Sequence, residues 1–171
     1  MRRLITFFAL ITLIAFASSV KAQNQVFTTD KLEYSIELPS ATWQVISGRD
    51  AVHNHPEFVY GDRLDGYLRI RKETIDGNTT LSELARRDLD QKLRYLPGFV
   101  EGAKQEKFNG RLDGVTISYE FTHTGKPMMG RIYFLQGDSR TVYSLHFSGL
   151  RDKLARIRNQ TDGIARSFKL K

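Results

Sequence analysis

The sequence predicts an α+β fold in which helices flank an antiparallel β-sheet. The main observation is a run of three strand patterns within residues 112–148, separated only by short turns. Apolar and polar residues alternate in these strands with the period of two that is expected when one sheet face is buried. Two further observations are a helical pattern before this run and another after it. Three consecutive strands joined by short turns form a β-meander.

Each strand of the meander carries a set of alternating apolar positions. Gly125 and Pro127 interrupt the pattern after the first strand, and a Gln-Gly-Asp-Ser turn at residues 136–139 separates the second strand from the third. The apolar positions are Val115, Ile117, Tyr119 and Phe121, then Ile132, Phe134 and Leu135, then Tyr143, Leu145 and Phe147.

Shorter strand patterns precede the first helix. In the longest of them Leu68 and Ile70 face one side, and Tyr67, Arg69 and Arg71 face the other. Trp43, the only tryptophan, is interpreted as a core anchor because an indole buries a large apolar area. The predicted strands are residues 26–28, Tyr34–Leu38, Trp43–Ile46, residues 58–60 and residues 67–72.

The first helix has the clearest start signal in the chain. Thr80 and Glu83 have the spacing of a capping box, and Pro97 with Gly98 marks the end of the helical pattern. Residues 99–108 are then expected to re-enter the sheet. The apolar stripe of the helix comprises Leu81, Leu84, Ala85, Leu89, Leu93 and Leu96.

The last part of the chain predicts one helix that lies on the sheet. Its apolar residues recur at alternating steps of four and three, which gives a stripe about 100° wide. The stripe comprises Leu150, Leu154, Ile157, Thr161, Ile164 and Phe168.

Residues 1–22 have the three-part pattern of a removable export signal. Arg2 and Arg3 precede an apolar run, and Val20 and Ala22 are small or compact residues before Gln23. The apolar run, residues 4–17, is shorter than the roughly 20 residues that a membrane-spanning helix needs. We therefore expect export to the periplasm or the medium, with a protein that is soluble after signal removal.

The remaining residues, 23–171, are predicted to form a single domain. A chain of this length buries roughly 70% of the surface that its unfolded form exposes. The sequence has no cysteine, so neither a disulfide nor lipid attachment at a cleavage-site cysteine is possible. The core must therefore hold the fold unaided.

The basic residues concentrate in the last helix. The whole chain has a net charge of +7, but the predicted signal removes three of the basic residues. No aromatic and basic recognition motif accompanies the charge, so nucleic-acid binding is not expected. We predict a weak attraction to anionic surfaces, in which the helix speeds the encounter with an acidic partner. The partner-binding candidates are Arg151, Arg156, Arg158 and Arg166.

The sequence contains no recognisable catalytic or cofactor motif, and we expect neither an enzyme nor a cofactor. His53 and His55 are the metal-ligand candidates, because alternate residues of an extended chain point to the same side. A solvated loop is the competing interpretation, since a zinc site needs three or four protein ligands. His123 and His146 are interpreted as satisfied polar residues of the strands.

Several short motifs, taken in order, resemble the PsbP-like fold. They are the strand Tyr34–Leu38 followed by Pro39 and Trp43, the helix after a long strand, Phe108-Asn109-Gly110 before the meander, Val142-Tyr143-Ser144-Leu145, and the ending Ile164-Ala165-Arg166-Ser167-Phe168. That fold is an α/β/α sandwich around an antiparallel sheet. It is shared by the photosystem II protein PsbP, a Ran-binding nuclear import factor and many small exported bacterial proteins.

The resemblance implies a non-enzymatic docking or assembly-accessory module of the cell envelope, with another envelope protein as its partner. It implies no individual functional residue. A small-ligand or metal carrier and an uncharacterised enzyme are the alternatives. A deep apolar pocket with converging polar groups would favour a carrier, and an exposed apolar patch would favour protein docking. A pocket that holds a carboxylate or a histidine with a shifted pKa would favour an enzyme.

Overall fold

The computed structural model describes residues 24–46 and 56–171. The predicted export signal and the metal candidates His53 and His55 therefore lie outside the described residues. The strands are β1 (Gln25–Phe27), β2 (Tyr34–Leu38), β3 (Trp43–Ile46), β4 (Glu57–Tyr60), β5 (Asp62–Thr74), β6 (Val100–Glu101), β7 (Glu106–Asn109), β8 (Asp113–His123), β9 (Lys126–Gln136), β10 (Thr141–Leu150) and β11 (Lys169–Leu170). The helices are α1 (Leu81–Gln91), α2 (Arg151–Arg156) and α3 (Arg158–Ser167), with a 3₁₀ turn at Leu93–Tyr95.

Most of the strands form one antiparallel sheet, which confirms the predicted α+β class. Its eight strands follow the order β3-β4-β5-β10-β9-β8-β6, and β7 also pairs with β8. The predicted meander is confirmed as β8, β9 and β10, which are sequential neighbours. The residues predicted to re-enter the sheet do so as the two short strands β6 and β7. A separate three-stranded sheet has the order β1-β2-β11.

The large sheet is covered on both faces, whereas the alternating pattern predicted one buried face. Val115 and Ile117 of β8 pack toward α1, and Leu145 and Phe147 of β10 belong to the core on the opposite face. The central strand β9 is buried on both sides, because Ile132, Phe134 and their neighbours Tyr133 and Leu135 are all covered. The layers are therefore helix, sheet and helix, with the small sheet beside α2 and α3.

The core under α2 and α3 is rich in aromatic rings. Phe168 is fully buried, and its ring centroid lies 4.9 Å from that of Tyr34 and 5.0 Å from that of Tyr143. Trp43 is only 2% exposed, which confirms its predicted place in the core. Its indole Nε1 donates a hydrogen bond of 3.0 Å to Oε1 of Gln160 on α3. This bond satisfies the one polar atom of the buried indole.

The prediction of one continuous C-terminal helix was wrong. Helix α2 ends at Arg156, and the next residue, Ile157, has a φ of −98° and a ψ of 17° that interrupt the helix before α3 begins. Leu150 ends β10, and Phe168 follows the last turn of α3. The break lets both short helices bury apolar residues against the sheet, so a single stripe in the sequence became two packed segments.

Helix α1 begins as predicted and ends earlier than predicted. Thr80 accepts a hydrogen bond from the backbone N–H of Glu83, and the Glu83 side chain accepts one from the backbone N–H of Thr80. The α-helix ends at Gln91, and the apolar stripe continues through Leu93 in the 3₁₀ turn. The capping box therefore defines the start of the helix, while backbone hydrogen bonds from Lys92 to Asp88 and from Leu96 to Leu93, together with the burial of Leu93, hold its last turns.

Replacement of Phe168 by alanine tests the aromatic core. We expect Phe168→Ala to lower the free energy of unfolding by about 3–5 kcal/mol, because it removes a fully buried ring that two other rings contact. Tyr95→Ala is the matched control, since Tyr95 is 80% exposed and its loss should change stability by less than about 0.5 kcal/mol. Urea denaturation measures both. Equally small changes in the free energy of unfolding of Phe168→Ala and Tyr95→Ala would contradict the packing described.

Candidate ligand-binding cleft

Helix α1 leaves part of its sheet face uncovered, and this part forms a cleft of about 310 Å³. The cleft lies between the C-terminal half of α1 with its 3₁₀ turn and the strands β5, β10, β9 and β8. We call it the α1 cleft. The residues that line it are Tyr67, Arg69, Arg71, Asp88, Lys92, Leu93, Leu96, Tyr119, Phe121, Ile132, His146 and Ser148.

Strand β5 supplies one side of the α1 cleft. Tyr67, Arg69 and Arg71 alternate with the buried Leu68 and Ile70, so the three share one face of β5, as the sequence predicted. In the structure this face lies toward α1. Antiparallel pairing with β10 places His146 directly beside Arg69. Two arginines and a histidine from distant parts of the chain are thereby brought together.

Tyr119 supplies the opposite side, and it depends on a glycine. Tyr119 lies directly across from Gly130, and a Cβ atom at Gly130 would stand 2.2 Å from Cζ of the Tyr119 ring. The missing side chain therefore lets the ring lie flat over β9. In this position the Tyr119 hydroxyl forms a 2.6 Å hydrogen bond with Nε2 of His146.

Both members of this hydrogen bond are held neutral. Burial lowers the pKa of His146 to about 4, with further lowering by the charges of Arg71 and Arg69. Burial also raises the pKa of the Tyr119 phenol far above its ordinary value. His146 is thus an uncharged polar group at neutral pH. The hydrogen bond confirms the interpretation of this histidine as a satisfied polar residue.

The charges that line the α1 cleft are mainly positive. Lys92 pairs with Asp88 at 2.6 Å, and Nε of Arg69 donates to the Tyr67 hydroxyl at 3.4 Å. Arg71 forms no ion pair with any residue that the structure describes, and it is exposed. Its guanidinium is therefore a cation that a ligand can reach without displacing a carboxylate of the described residues from an ion pair.

A carboxylate lies just beyond the arginines. Glu57 on β4 is 7% exposed and accepts a 2.6 Å hydrogen bond from Arg63. Burial raises the pKa of Glu57, but hydrogen bonds from Tyr67 and Arg63 and the charges of Arg63 and Arg69 outweigh it and hold the pKa below its ordinary value. The negative charge of Glu57 offsets the positive charge of Arg69 more than that of Arg71, because Glu57 is the cross-strand partner of Arg69.

The other walls of the cleft are apolar and aromatic. Leu93 comes from the 3₁₀ turn, Leu96 directly follows that turn, Ile132 comes from β9 and Phe121 from β8. The ring centroids of Phe121 and Tyr119 lie 5.7 Å apart. Cationic groups beside aromatic walls suit an organic anion that has an apolar body.

The sequence did not single out the residues of the α1 cleft as a site. The signal for it was present in β5, where Tyr67, Arg69 and Arg71 share one face of a strand. Their significance depends on His146, which is the cross-strand neighbour of Arg69, and on Tyr119, which is hydrogen-bonded to His146. Only the strand order of the sheet brings these residues together. Among the described residues, no group of three or more potential metal ligands lies together.

The four C-terminal arginines do not form one group. Arg151 pairs with Asp152 at 3.3 Å and with Glu120 at 3.7 Å, and Arg158 lies 3.8 Å from Glu106. Arg156 and Arg166 are exposed and form no ion pair within the described ranges. Their role in steering a partner stays a prediction.

The pKa of His146 predicts a specific loss of stability in acid. The unfolded histidine binds a proton near pH 6.5 and the folded one only near pH 4, so the unfolded state holds more protons between these values. Stability should fall as the pH drops from about 6.5 toward 4, by on the order of 2–3 kcal/mol. Denaturation curves at several pH values measure this loss.

His146→Gln should remove that part of the pH dependence, because glutamine does not titrate. His123→Gln is the control for the substitution itself, since His123 is exposed at the end of β8. An equal loss of stability in acid for His146→Gln and for the wild type would show that His146 is not the cause of that loss.

Within the described residues, no helix is both long and apolar enough for a membrane crossing. Neither a family model nor a curated protein sequence matches the chain.

Solved structures do match the fold. LpqN, which is involved in cell envelope biogenesis of Mycobacterium tuberculosis, matches with a TM-score of 0.60 and 15% identity over 86% of this chain and 90% of that chain. Cyanobacterial PsbP (CyanoP) from Synechocystis sp. PCC 6803 matches with a TM-score of 0.57 and 15% identity over 94% and 99%. PA94 of Pseudomonas aeruginosa, a protein of unknown function, matches with a TM-score of 0.53 and 14% identity over 85% and 95%. The chain therefore has a PsbP-like fold, as its sequence motifs predicted.

Proposed function

We propose that the protein is a non-enzymatic binding module of the cell envelope, and that the α1 cleft binds a small organic anion. The envelope part of the proposal is supported by the signal pattern of residues 1–22 and by the fold shared with LpqN, an envelope-biogenesis protein. The binding part is supported by the cleft itself.

The observation that carries the proposal is the position of Arg71 at an aromatic cleft of ligand size. A volume of about 310 Å³ is at the lower end of the range for small-molecule sites, roughly 300–1,000 Å³. Arg71 can pair with an acidic group, while Phe121, Leu93 and Leu96 contact the apolar body of the same ligand. Tyr119 and His146 add neutral polar groups that can fix its orientation.

The state of His146 favours binding over catalysis. A general base works best when its pKa lies near the operating pH. With a pKa of about 4 the imidazole of His146 is a weak base, and its Nε2 already shares a hydrogen bond with Tyr119. These features support a role for His146 as a fixed polar group in the wall of a binding site.

Docking of a partner protein is the second candidate function. Tyr95 is 80% exposed and Val100 is 58% exposed, and both lie in the segment that contributes Leu96 to the α1 cleft. A partner that inserts an acidic side chain into the cleft would contact these residues as well. A pull-down from envelope extract with wild type and Tyr95→Ala distinguishes this candidate, because a small ligand does not require the exposed ring.

Anilinonaphthalene sulfonate, an aromatic anion, is a suitable probe for the α1 cleft. We expect the wild type to bind one equivalent with a rise in fluorescence, and Arg71→Gln to weaken binding by about tenfold through loss of a charge-assisted contact. Arg140→Gln is the control, because Arg140 is exposed in the turn between β9 and β10 and does not line the cleft. Equal affinities for the wild type and Arg71→Gln would contradict the proposal.

A further inference from the structure

A second, smaller pocket lies on the opposite face of the sheet, where α3 begins. It has a volume of about 40 Å³, and we call it the Thr116 pocket. Thr116 and Ser118 of β8 and Arg131 of β9 form its floor, because Ser118 pairs directly with Arg131 across the two strands. Lys104, Glu106 and Arg158 also line it.

Two buried polar atoms at this pocket have no hydrogen-bond partner among the described residues. They are Oγ1 of Thr116 and Nε of Arg131. Thr116 is only 5% exposed, so water at the outer surface does not satisfy its hydroxyl. Buried polar groups without partners are rare in folded proteins because they are costly to desolvate. Two of them at one pocket point to a ligand.

The side chain of Arg131 is fixed in place for such a ligand. Its Nη2 lies 3.1 Å from Oδ1 of Asp162, and the Tyr133 hydroxyl donates to the same oxygen at 2.5 Å. The guanidinium carbon also lies 5.2 Å from the centroid of the Tyr133 ring. Asp162 pairs with Nη2 and the Tyr133 ring lies against the guanidinium. The Nε–H group of Arg131 therefore points in one fixed direction.

The charges around the pocket favour an anion. Lys104, Arg131 and Arg158 are basic, while the acids are Glu106 and Asp162, the partner of Arg131. Nη2 of Arg158 and Oε2 of Glu106 are 3.8 Å apart, which is a long distance for an ion pair. The basic residues therefore exceed the acidic ones by one. The Nε–H group can only donate a hydrogen bond, and the Thr116 hydroxyl is able to donate one to the same acceptor.

We propose that the Thr116 pocket binds one small monovalent inorganic anion, such as chloride, between Nε–H of Arg131 and the hydroxyl of Thr116. The volume suffices, because a single water needs only about 10–15 Å³ of such space. The site is separate from the α1 cleft and does not rest on the function proposed for that cleft.

Crystals grown in sodium bromide test the site directly, because bromide gives an anomalous signal and replaces chloride. We expect an anomalous peak within hydrogen-bond distance of both Arg131 Nε and Thr116 Oγ1, absent from crystals of Thr116→Val. A pocket that holds only water in bromide would overturn the proposal, and so would a peak that persists in Thr116→Val.

Thermal unfolding gives an independent solution test with the same variant. At constant ionic strength, replacement of gluconate by chloride should raise the unfolding temperature of the wild type by roughly 3 °C, because the anion binds only the folded chain. Thr116→Val should show no rise, although in gluconate it should be at least as stable as the wild type, since it loses an unpaired buried hydroxyl. Thr74→Val, which changes an exposed threonine of β5, should respond to chloride like the wild type. An equal chloride response in all three proteins would reject the site.

Discussion

The structure depends on a mismatch between a broad sheet and the short helix that covers one of its faces. The sheet is seven strands across, because β6 and β7 both pair with β8, and at about 4.8 Å spacing it is roughly 30 Å wide, whereas the 11 residues of α1 form a rod only about 16 Å long. The opposite face is more fully covered, because α2, α3 and the three-stranded sheet pack on it together. The α1 face must therefore keep an open part. Apolar residues occupy the covered part, and Tyr67, Arg69, Arg71 and His146 occupy the open one.

A single glycine links this architecture to the chemistry of the cleft. Gly130 allows the Tyr119 ring to cross β9, so that the hydroxyl reaches His146 on the next strand. The bond fixes two aromatic groups beside the arginines and keeps water from one side of the imidazole. The same burial that lowers the pKa of His146 also removes a positive charge that would otherwise add to Arg69 and Arg71. The cleft thus combines cationic and neutral polar groups in one wall.

Local patterns in the sequence predicted most of the elements, and long-range pairing explains what they missed. The capping box at Thr80 and the alternation in the meander are local signals, and the helix start and the three strands that they predicted were confirmed. Apolar spacing could not reveal the break at Ile157, because the residues after the break keep the same spacing as those before it. The cleft was missed because β5 pairs with β10, about 75 residues later in the chain, and only that pairing joins Arg69 to His146.

We propose that anionic ligands bind in the open part of the α1 face. Mapping by ¹⁵N-labelled NMR tests it most directly, with backbone resonances followed during titration of an aromatic carboxylate such as naphthoate. We expect the largest shifts on residues of β5, β8 and β10 around Arg71, Tyr119 and His146, with little change in α3. Shifts centred on Arg156 and Arg166 of the C-terminal helices, or none at saturating ligand, would contradict it.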